Sequence, residues 1–224
     1  MSKSYEIDMC HGPLAGKILR FSLPLMLSSM LQLIFNAADV IVVGRFSGSE
    51  ALAAVGSTGP LINLMINLFI GLSVGANVVV ARALGANHPT DVSKAVHTSL
   101  LLSAAGGILL ALIAIPLAKP ALELMGSPDN VIDLSTLYLR IYFIGIPAAL
   151  IYNFGSSILR AAGDTKRPLY YLFTAGIINV ILNLFFVIFC KMSVDGVATA
   201  TVISQVVSAA LIVKSLLKEE TALR

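Results

Sequence analysis

Residues 96–117 read VHTSLLLSAAGGILLALIAIPL, and this stretch decides the fold class. It contains no Asp, Glu, Lys or Arg. As a helix it is long enough to cross the hydrocarbon core of a bilayer, which takes about 20 apolar residues. Its side chains are nearly all Leu, Ala, Ile and Gly, so we expect this helix to face lipid.

Apolar runs of similar length flank this stretch on both sides. They cover residues 18–43, 52–80, 137–158, 169–189 and 194–213. The connecting segments carry the Gly, Pro and charged residues that are typical of turns. The sequence therefore predicts an all-α, polytopic membrane protein with a six-transmembrane-helix bundle. We expect a cytoplasmic amino-terminal segment at 1–17, a six-helix transmembrane lobe at 18–213, and a cytoplasmic tail or the start of a linker at 214–224.

The composition also indicates that most of the chain is surrounded by lipid and not by water. The chain of 224 residues is 57% hydrophobic and 12% charged, with a mean hydropathy of +0.90, whereas soluble domains are about 25% charged. The net charge of +3 gives no reason to propose a nucleic-acid partner. The first apolar run is too long for the core of a cleaved signal peptide, so we expect it to remain as a spanning helix.

The lysines and arginines predict the orientation of the helices. If six spans are threaded through the membrane, eleven of these residues fall on the side of the two termini and four on the other side. Basic residues are enriched on the cytoplasmic side of membrane proteins. We therefore expect a multi-pass protein of the plasma (cytoplasmic) membrane with both termini in the cytoplasm.

Asp39 is the one ionisable residue clearly inside an apolar run, and such a residue is a functional candidate by default. Gln32 and Asn36 share its stripe of the first helix. Packing against a neighbouring helix would explain the two amides alone. The aspartate favours a wet cavity, because a carboxylate in a membrane needs a cation or a proton.

Other predicted helices also carry polar side chains at helical spacing: Asn63 and Asn67 on the second, Asn179 and Asn183 on the fifth, and Thr201, Gln205 and Ser208 on the sixth. Counting about 1.5 Å per residue places Asp39, Asn183 and Thr201 roughly 6–10 Å from the outer ends of their helices. They are therefore predicted to meet at one level. The alternative is simple interhelical hydrogen bonding, worth about 0.6 kcal/mol per bond.

No motif of catalysis or metal binding occurs in a sequence context that suits it. The three histidines are scattered, and no His-Glu-x-x-His motif occurs. The Gly-x-Ser-x-Gly pattern at residues 71–75 lies inside an apolar run, where its small residues suit close helix packing instead of a nucleophile turn. A phosphate-binding loop ending in Gly-Lys-Ser or Gly-Lys-Thr is also missing. We therefore predict a protein that is not an enzyme, has no cofactor and is driven by an ion gradient.

Four motifs together resemble one transporter family. They are FNAADVIVVGRF (35–46) followed by EALAAVG (50–56), VARALGA (80–86), LRAAGDTKRP (159–168) and DGVATATVISQ (195–205). In this order and spacing they are similar to the amino-terminal six-helix lobe of MATE (multidrug and toxic compound extrusion) transporters. The resemblance covers nearly the whole chain.

The resemblance implies a twelve-helix protein made of two six-helix lobes around a central cavity. Such proteins are secondary active multidrug efflux antiporters that export cationic or amphipathic compounds in exchange for H⁺ or Na⁺. By resemblance, Asp39 is the ion-coupling residue, with Asn179, Asn183 and Thr201 (or Thr199) beside it and Na⁺ as a possible ligand of the set. Gln32, Asn36, Asn63, Asn67 and Gln205 are the expected cavity-lining residues.

The chain departs from the family pattern in two ways. Some members have a second carboxylate where Asn183 stands, so its replacement by an amide weakens the case for Na⁺ and favours H⁺. The chain also ends after six predicted helices, which implies either a missing carboxy-terminal lobe or a second half-size copy as partner.

Three other functions remain as alternatives. The first is a lipid-linked oligosaccharide flippase of a related superfamily, which would need cationic side chains in its cavity, and Arg140 is the one candidate in a helix interior. The second is a noncatalytic membrane scaffold. The third is an intramembrane enzyme, for which paired catalytic residues are lacking.

Overall fold

A computed structural model of the chain describes residues 14–86 and 88–218. The predictions for the first 13 and the last six residues lie outside the described residues, so the expected terminal segments are described only in part.

The described chain is a bundle of seven α-helices. Their bounds are α1 Leu14–Phe46, α2 Gly48–Gly85, α3 Pro89–Leu124, α4 Ile132–Ile144, α5 Ile146–Ala161, α6 Lys166–Leu184 and α7 Val194–Leu217. A π-helical segment, Phe185–Phe189, continues α6. Each helix contains or overlaps one predicted apolar run, and most extend several residues beyond it because polar end residues continue the helical hydrogen bonds.

Five of these helices are long and apolar enough to cross a membrane by themselves. The fourth predicted run is broken into α4 and α5, which meet at Gly145 with a bend of 48°. Pro147 lies in the first turn of α5, where a missing N–H group is tolerated. Taken as one bent span, α4 and α5 bring the count to six, and the predicted all-α, six-span membrane fold is confirmed.

The helices pack around two buried clusters near the ends of the bundle and one along α3 (the α3 cluster). One end cluster joins the α1–α2 turn to α4 and the start of α7 through small and β-branched side chains such as Val43, Ala54 and Val197. The other joins α5 to the end of α7 through Ile158 and Ile212. These end clusters leave the middle of the bundle free for polar side chains.

The α3 cluster attaches the third span to α5 and α2. Ala111, Ala118 and Leu122 of α3 are buried in it, whereas leucines and isoleucines on the opposite side of α3 are exposed. The predicted lipid-facing helix therefore has one protein-facing stripe of mainly small residues. Small residues at such contacts let two helix backbones approach closely.

Gly107 marks the closest approach of α3 to α5. A methyl group placed on Gly107 would lie 2.6 Å from Cα of Pro147, whereas one placed on Gly106 would contact nothing within 4 Å. We expect Gly107→Ala to lower the free energy of unfolding by about 1–3 kcal/mol, because two backbones would have to separate. Gly106→Ala is the matched control and should be neutral or slightly stabilising. Thermal unfolding in detergent measures both, and equal behaviour of the two variants would contradict this packing.

Candidate functional site

A cavity of about 420 Å³ lies in the middle of the bundle. Its walls come from α1, α2, α4, α5, α6 and α7, and α3 contributes none of the described lining residues. The two end clusters of apolar residues hold these helices together, so the cavity is a feature of the packed bundle.

Four polar side chains from three helices form a hydrogen-bonded chain, and all of them except the fully buried Asn183 line this cavity. Nδ2 of Asn183 donates both to Oδ1 of Asp39 and to Oδ1 of Asn179, the latter at 3.2 Å. Nδ2 of Asn179 donates to Oγ1 of Thr201 at 3.3 Å. The structure thus brings together the residues that were predicted to lie at one depth in the first, fifth and sixth spans.

The oxygen atoms of this chain have capacity left for another ligand. Asn179 and Asn183 are buried, and Oδ1 of Asn183 has no hydrogen-bond partner among the described residues. Buried polar atoms are usually paired. A carboxylate, two amides and a hydroxyl are oxygen donors of the kind that hard cations prefer. The same carboxylate can instead take a proton, so the donor set fits Na⁺ or H⁺.

Most of the predicted cavity residues line the cavity. Gln32, Asn36, Asn63 and Gln205 are in its walls. Asn67 is not among the described lining residues, and its assignment to the cavity stays a prediction. Four residues turn a helix by about 40° beyond a full turn, and the exposed Asn67 amide donates to the carbonyl oxygen of Asn63 at 2.8 Å within α2.

Several lining residues were missed by the sequence analysis. Tyr138 and Tyr142, one turn apart on α4, stack with their ring centroids 6.3 Å apart and 25° between the ring planes. Tyr152 and Asn153 of α5 also line the cavity. Their spacing was visible in the sequence, but tyrosine is equally common at membrane interfaces. The signal therefore did not separate a cavity wall from an interfacial position.

Two glycines allow polar and aromatic side chains to enter the cavity wall. The ring of Phe35 occupies the space that a side chain at Gly176 would take, so α1 lies close to α6. Oε1 of Gln205 similarly lies against Gly145 at the break between α4 and α5. That oxygen is buried and without a hydrogen-bond partner among the described residues. The residue one turn before Gln205 on α7 is Thr201, a member of the hydrogen-bonded chain.

Asp39 is the one charged side chain among the described residues that line the cavity. The rest of the wall combines aromatic rings, amides, hydroxyls and aliphatic groups. Aromatic faces and a carboxylate both attract cations. The electrostatics of this cavity therefore favour a positively charged or neutral ligand over an anionic one.

A bundle of six spans around a mainly apolar cavity that holds one carboxylate is the architecture of a lobe of a membrane transporter. The MatE family model matches residues 24–185. The chain therefore belongs to the MatE family, the MATE transporters, as its motifs predicted.

Individual relatives give the same result. The chain is 36% identical over 190 residues to the probable multidrug resistance protein YoeA of Bacillus subtilis, an alignment that covers 83% of this chain and 41% of that protein. A crystal structure of MATE in the bent conformation superposes with a TM-score of 0.86 and 31% identity, over 92% of this chain and 46% of that one. An outward-facing MATE transporter of the MOP superfamily gives a TM-score of 0.85 and 31% identity with the same coverage. The chain thus spans about half the length of the relatives it matches.

Proposed function

We propose that this chain works as the amino-terminal lobe of a secondary active multidrug efflux antiporter, exporting cationic or amphipathic compounds in exchange for H⁺ or Na⁺. The observation that carries the proposal is the position of Asp39, which is hydrogen-bonded to Asn183 and is the one charged side chain among the described residues of the cavity wall. An ionisable side chain within the membrane is energetically unfavourable, and such residues usually have a function. Membership of the family supports the same assignment.

The proposed coupling step is a change of partner at Asp39. Without an ion, its carboxylate accepts a hydrogen bond from Asn183. A proton or Na⁺ neutralises the carboxylate, so the hydrogen bond from Asn183 is no longer required to stabilise its charge. For Na⁺, the amide of Asn183 can turn its free oxygen toward the ion, since Oδ1 has no other described partner.

The partner change would spread through the helices that carry the site. Asp39 is on α1, Asn179 and Asn183 are on α6, and Thr201 is on α7, so rearranged hydrogen bonds alter the packing of three spans at once. This repacking narrows the cavity and expels the cargo. The step requires that the ion bind more tightly to one conformation than to the other.

The cavity wall supports a cationic or amphipathic cargo. Tyr138, Tyr142 and Phe35 offer aromatic surface beside the carboxylate of Asp39, and a cation over an aromatic face gains about 0.5–2 kcal/mol. The proposed flippase would bind a pyrophosphate and so needs basic groups. Arg140 is exposed on α4 and is not among the lining residues, which disfavours that alternative.

The proposal needs a second wall for the cavity. Because the chain covers about half of its relatives, we propose that a carboxy-terminal lobe, or a second half-size copy, closes the cavity from the other side. We propose further that the protein is in the plasma membrane with both termini cytoplasmic, needs no cofactor and catalyses no covalent reaction.

An ion-dependent dye-efflux assay tests the function. Everted vesicles that contain the full-length protein should expel a cationic dye such as ethidium when a proton or Na⁺ gradient is imposed. Collapse of the coupling gradient with a protonophore or a Na⁺ ionophore should stop efflux. ATP without a gradient should not support it. Efflux that is independent of both gradients would contradict the proposal, and loss with one ionophore alone identifies the coupling ion.

A further inference from the structure

Three buried polar groups with unused hydrogen-bonding capacity lie close together in the chain, outside the cavity site. Ser156 is 1% exposed and Thr165 is 2% exposed. The Thr165 hydroxyl has no hydrogen-bond partner among the described residues, and the Ser156 hydroxyl has only the phenol of Tyr152 beside it. Nε of Arg160 is also buried and unpartnered in that part of the chain. Buried polar atoms are nearly always hydrogen-bonded, so these three indicate a ligand that the described residues do not supply.

Of the three groups, Arg160 has the strongest requirement for a partner because its side chain is charged. Arg160 forms no ion pair among the described residues. The nearest acid in the sequence, Asp164, is fully buried and already used: its Oδ1 accepts from the backbone N–H groups of Lys166 and Arg167, and its Oδ2 pairs with Nε of Arg167. Arg160 is only partly exposed, and a guanidinium that is partly withdrawn from water is stabilised when an anion accompanies it.

The local fold brings the three groups to the same end of the bundle. Ser156 and Arg160 are one turn apart on α5 and therefore share a face. The loop after α5 folds back on its last turn, because the N–H groups of Gly163 and Asp164 donate to the carbonyls of Arg160 and Leu159 at 2.9 Å each. Thr165, which follows directly, begins α6 beside that turn.

Apolar residues of the end cluster surround this part of the bundle. Ile158, Leu159 and Ile212 are fully buried in the same end cluster. The phenol of Tyr152, a neighbour of Arg160, donates to the carbonyl oxygen of Pro168 at 3.0 Å and fixes α5 against α6. Arg160 itself is only partly buried, so a ligand can reach its guanidinium from the end of the bundle.

We propose that Arg160, Ser156 and Thr165 form an oxyanion-binding site at this end of the bundle, suited to a phosphate group. A guanidinium offers several N–H donors in a planar fork that matches phosphate oxygens, and the two hydroxyls supply further donors. The phosphate belongs either to an anionic phospholipid headgroup or to free phosphate. Lys166 is exposed at the same loop and adds positive charge. The site does not depend on the transport proposed above.

Thermal unfolding of the purified full-length protein tests the site, with two probes that distinguish the sources. One arm adds inorganic phosphate to lipid-free protein in detergent. The other compares nanodiscs of pure phosphatidylcholine with nanodiscs that contain phosphatidylglycerol. We expect one probe to raise the melting temperature of the wild type. Stabilisation by phosphate in detergent assigns a free oxyanion, and stabilisation by phosphatidylglycerol alone assigns a lipid headgroup.

Variants decide whether the effect comes from this site. Arg160→Gln should lose the stabilisation, whereas Arg140→Gln, the same change at an exposed arginine of α4, should keep it. If Arg160→Gln does not fold, Ser156→Ala keeps the charge and should weaken binding of the probe about tenfold through loss of one donor. The proposal is overturned if neither probe stabilises the wild type, or if the folded Arg160→Gln or Ser156→Ala protein binds as the wild type does.

Discussion

Replacing Asp39 with Asn should abolish ion-driven efflux while leaving the protein folded and inserted in the membrane. The amide keeps the size of the side chain and can still bond to Asn183, so the bundle is preserved. It cannot gain or lose a proton, and it carries no charge to attract Na⁺. Coupling free energies of 1–3 kcal/mol correspond to about 5–150-fold, and a variant that binds no coupling ion loses all of this coupling, so its ion-driven efflux should match that of vesicles without the protein. Dye efflux from everted vesicles, normalised to the amount of inserted protein, measures this.

The matched control is Asp133→Asn. Asp133 undergoes the same chemical change, but its side chain is 87% exposed and pairs with Lys119 at 3.3 Å outside the cavity. Exposed ion pairs contribute little to stability, so this variant should transport normally. Unchanged efflux by Asp39→Asn would reject Asp39 as the coupling residue, even if the protein proves to be a transporter.

Replacing Asn183 with Asp should make the site a stronger Na⁺ binder. The new carboxylate would lie within hydrogen-bonding distance of Asp39, since the amide it replaces donates to that carboxylate. Two like charges at this separation repel each other, and a cation or a shared proton relieves the repulsion. We expect the Na⁺ concentration for half-maximal efflux to fall at least about tenfold, equivalent to about 1.4 kcal/mol. Efflux measured against external Na⁺ at fixed pH checks this.

Asn130→Asp provides the control for the added charge. Asn130 is exposed in the segment between α3 and α4 and outside the cavity wall, so an aspartate there changes the net charge equally without approaching Asp39. Its Na⁺ dependence should match that of the wild type. If both variants respond alike to Na⁺, or if Asn183→Asp does not respond, the four-residue chain is not the site where Na⁺ binds.

The fold could be predicted because the length and hydrophobicity of a run, which are both visible in the sequence, decide whether the run spans a membrane. Lipid cannot satisfy backbone polar groups, so every apolar run of sufficient length must be a helix, and the break near Gly145 and Pro147 follows from their residue types. The meeting of Asp39, Asn183 and Thr201 followed from rise per residue alone. Their functional roles stay predictions until efflux is measured.

The remaining features of the site depend on how each helix is rotated and tilted in the bundle, and residue spacing along the sequence does not determine this. Asn67 has the residue type of a cavity residue, but it lies a fraction of a turn too far around α2. Tyr138 and Tyr142 have the composition of an interfacial belt and nevertheless face the cavity. Arg160 has no ion-pair partner among the described residues because Asp164 is bonded to Lys166 and Arg167. No sequence pattern predicts which of these basic residues Asp164 contacts.

Because α3 contributes none of the described residues that line the cavity, its sequence can change without changing that wall. At about 1.5 Å per residue, its 36 residues span about 54 Å, well beyond the hydrocarbon thickness of a bilayer. One side is fixed by Gly107 and its small neighbours, and the other meets acyl chains. Substitutions on that outer side can adapt the protein to thicker or thinner membranes without altering the described residues that line the cavity.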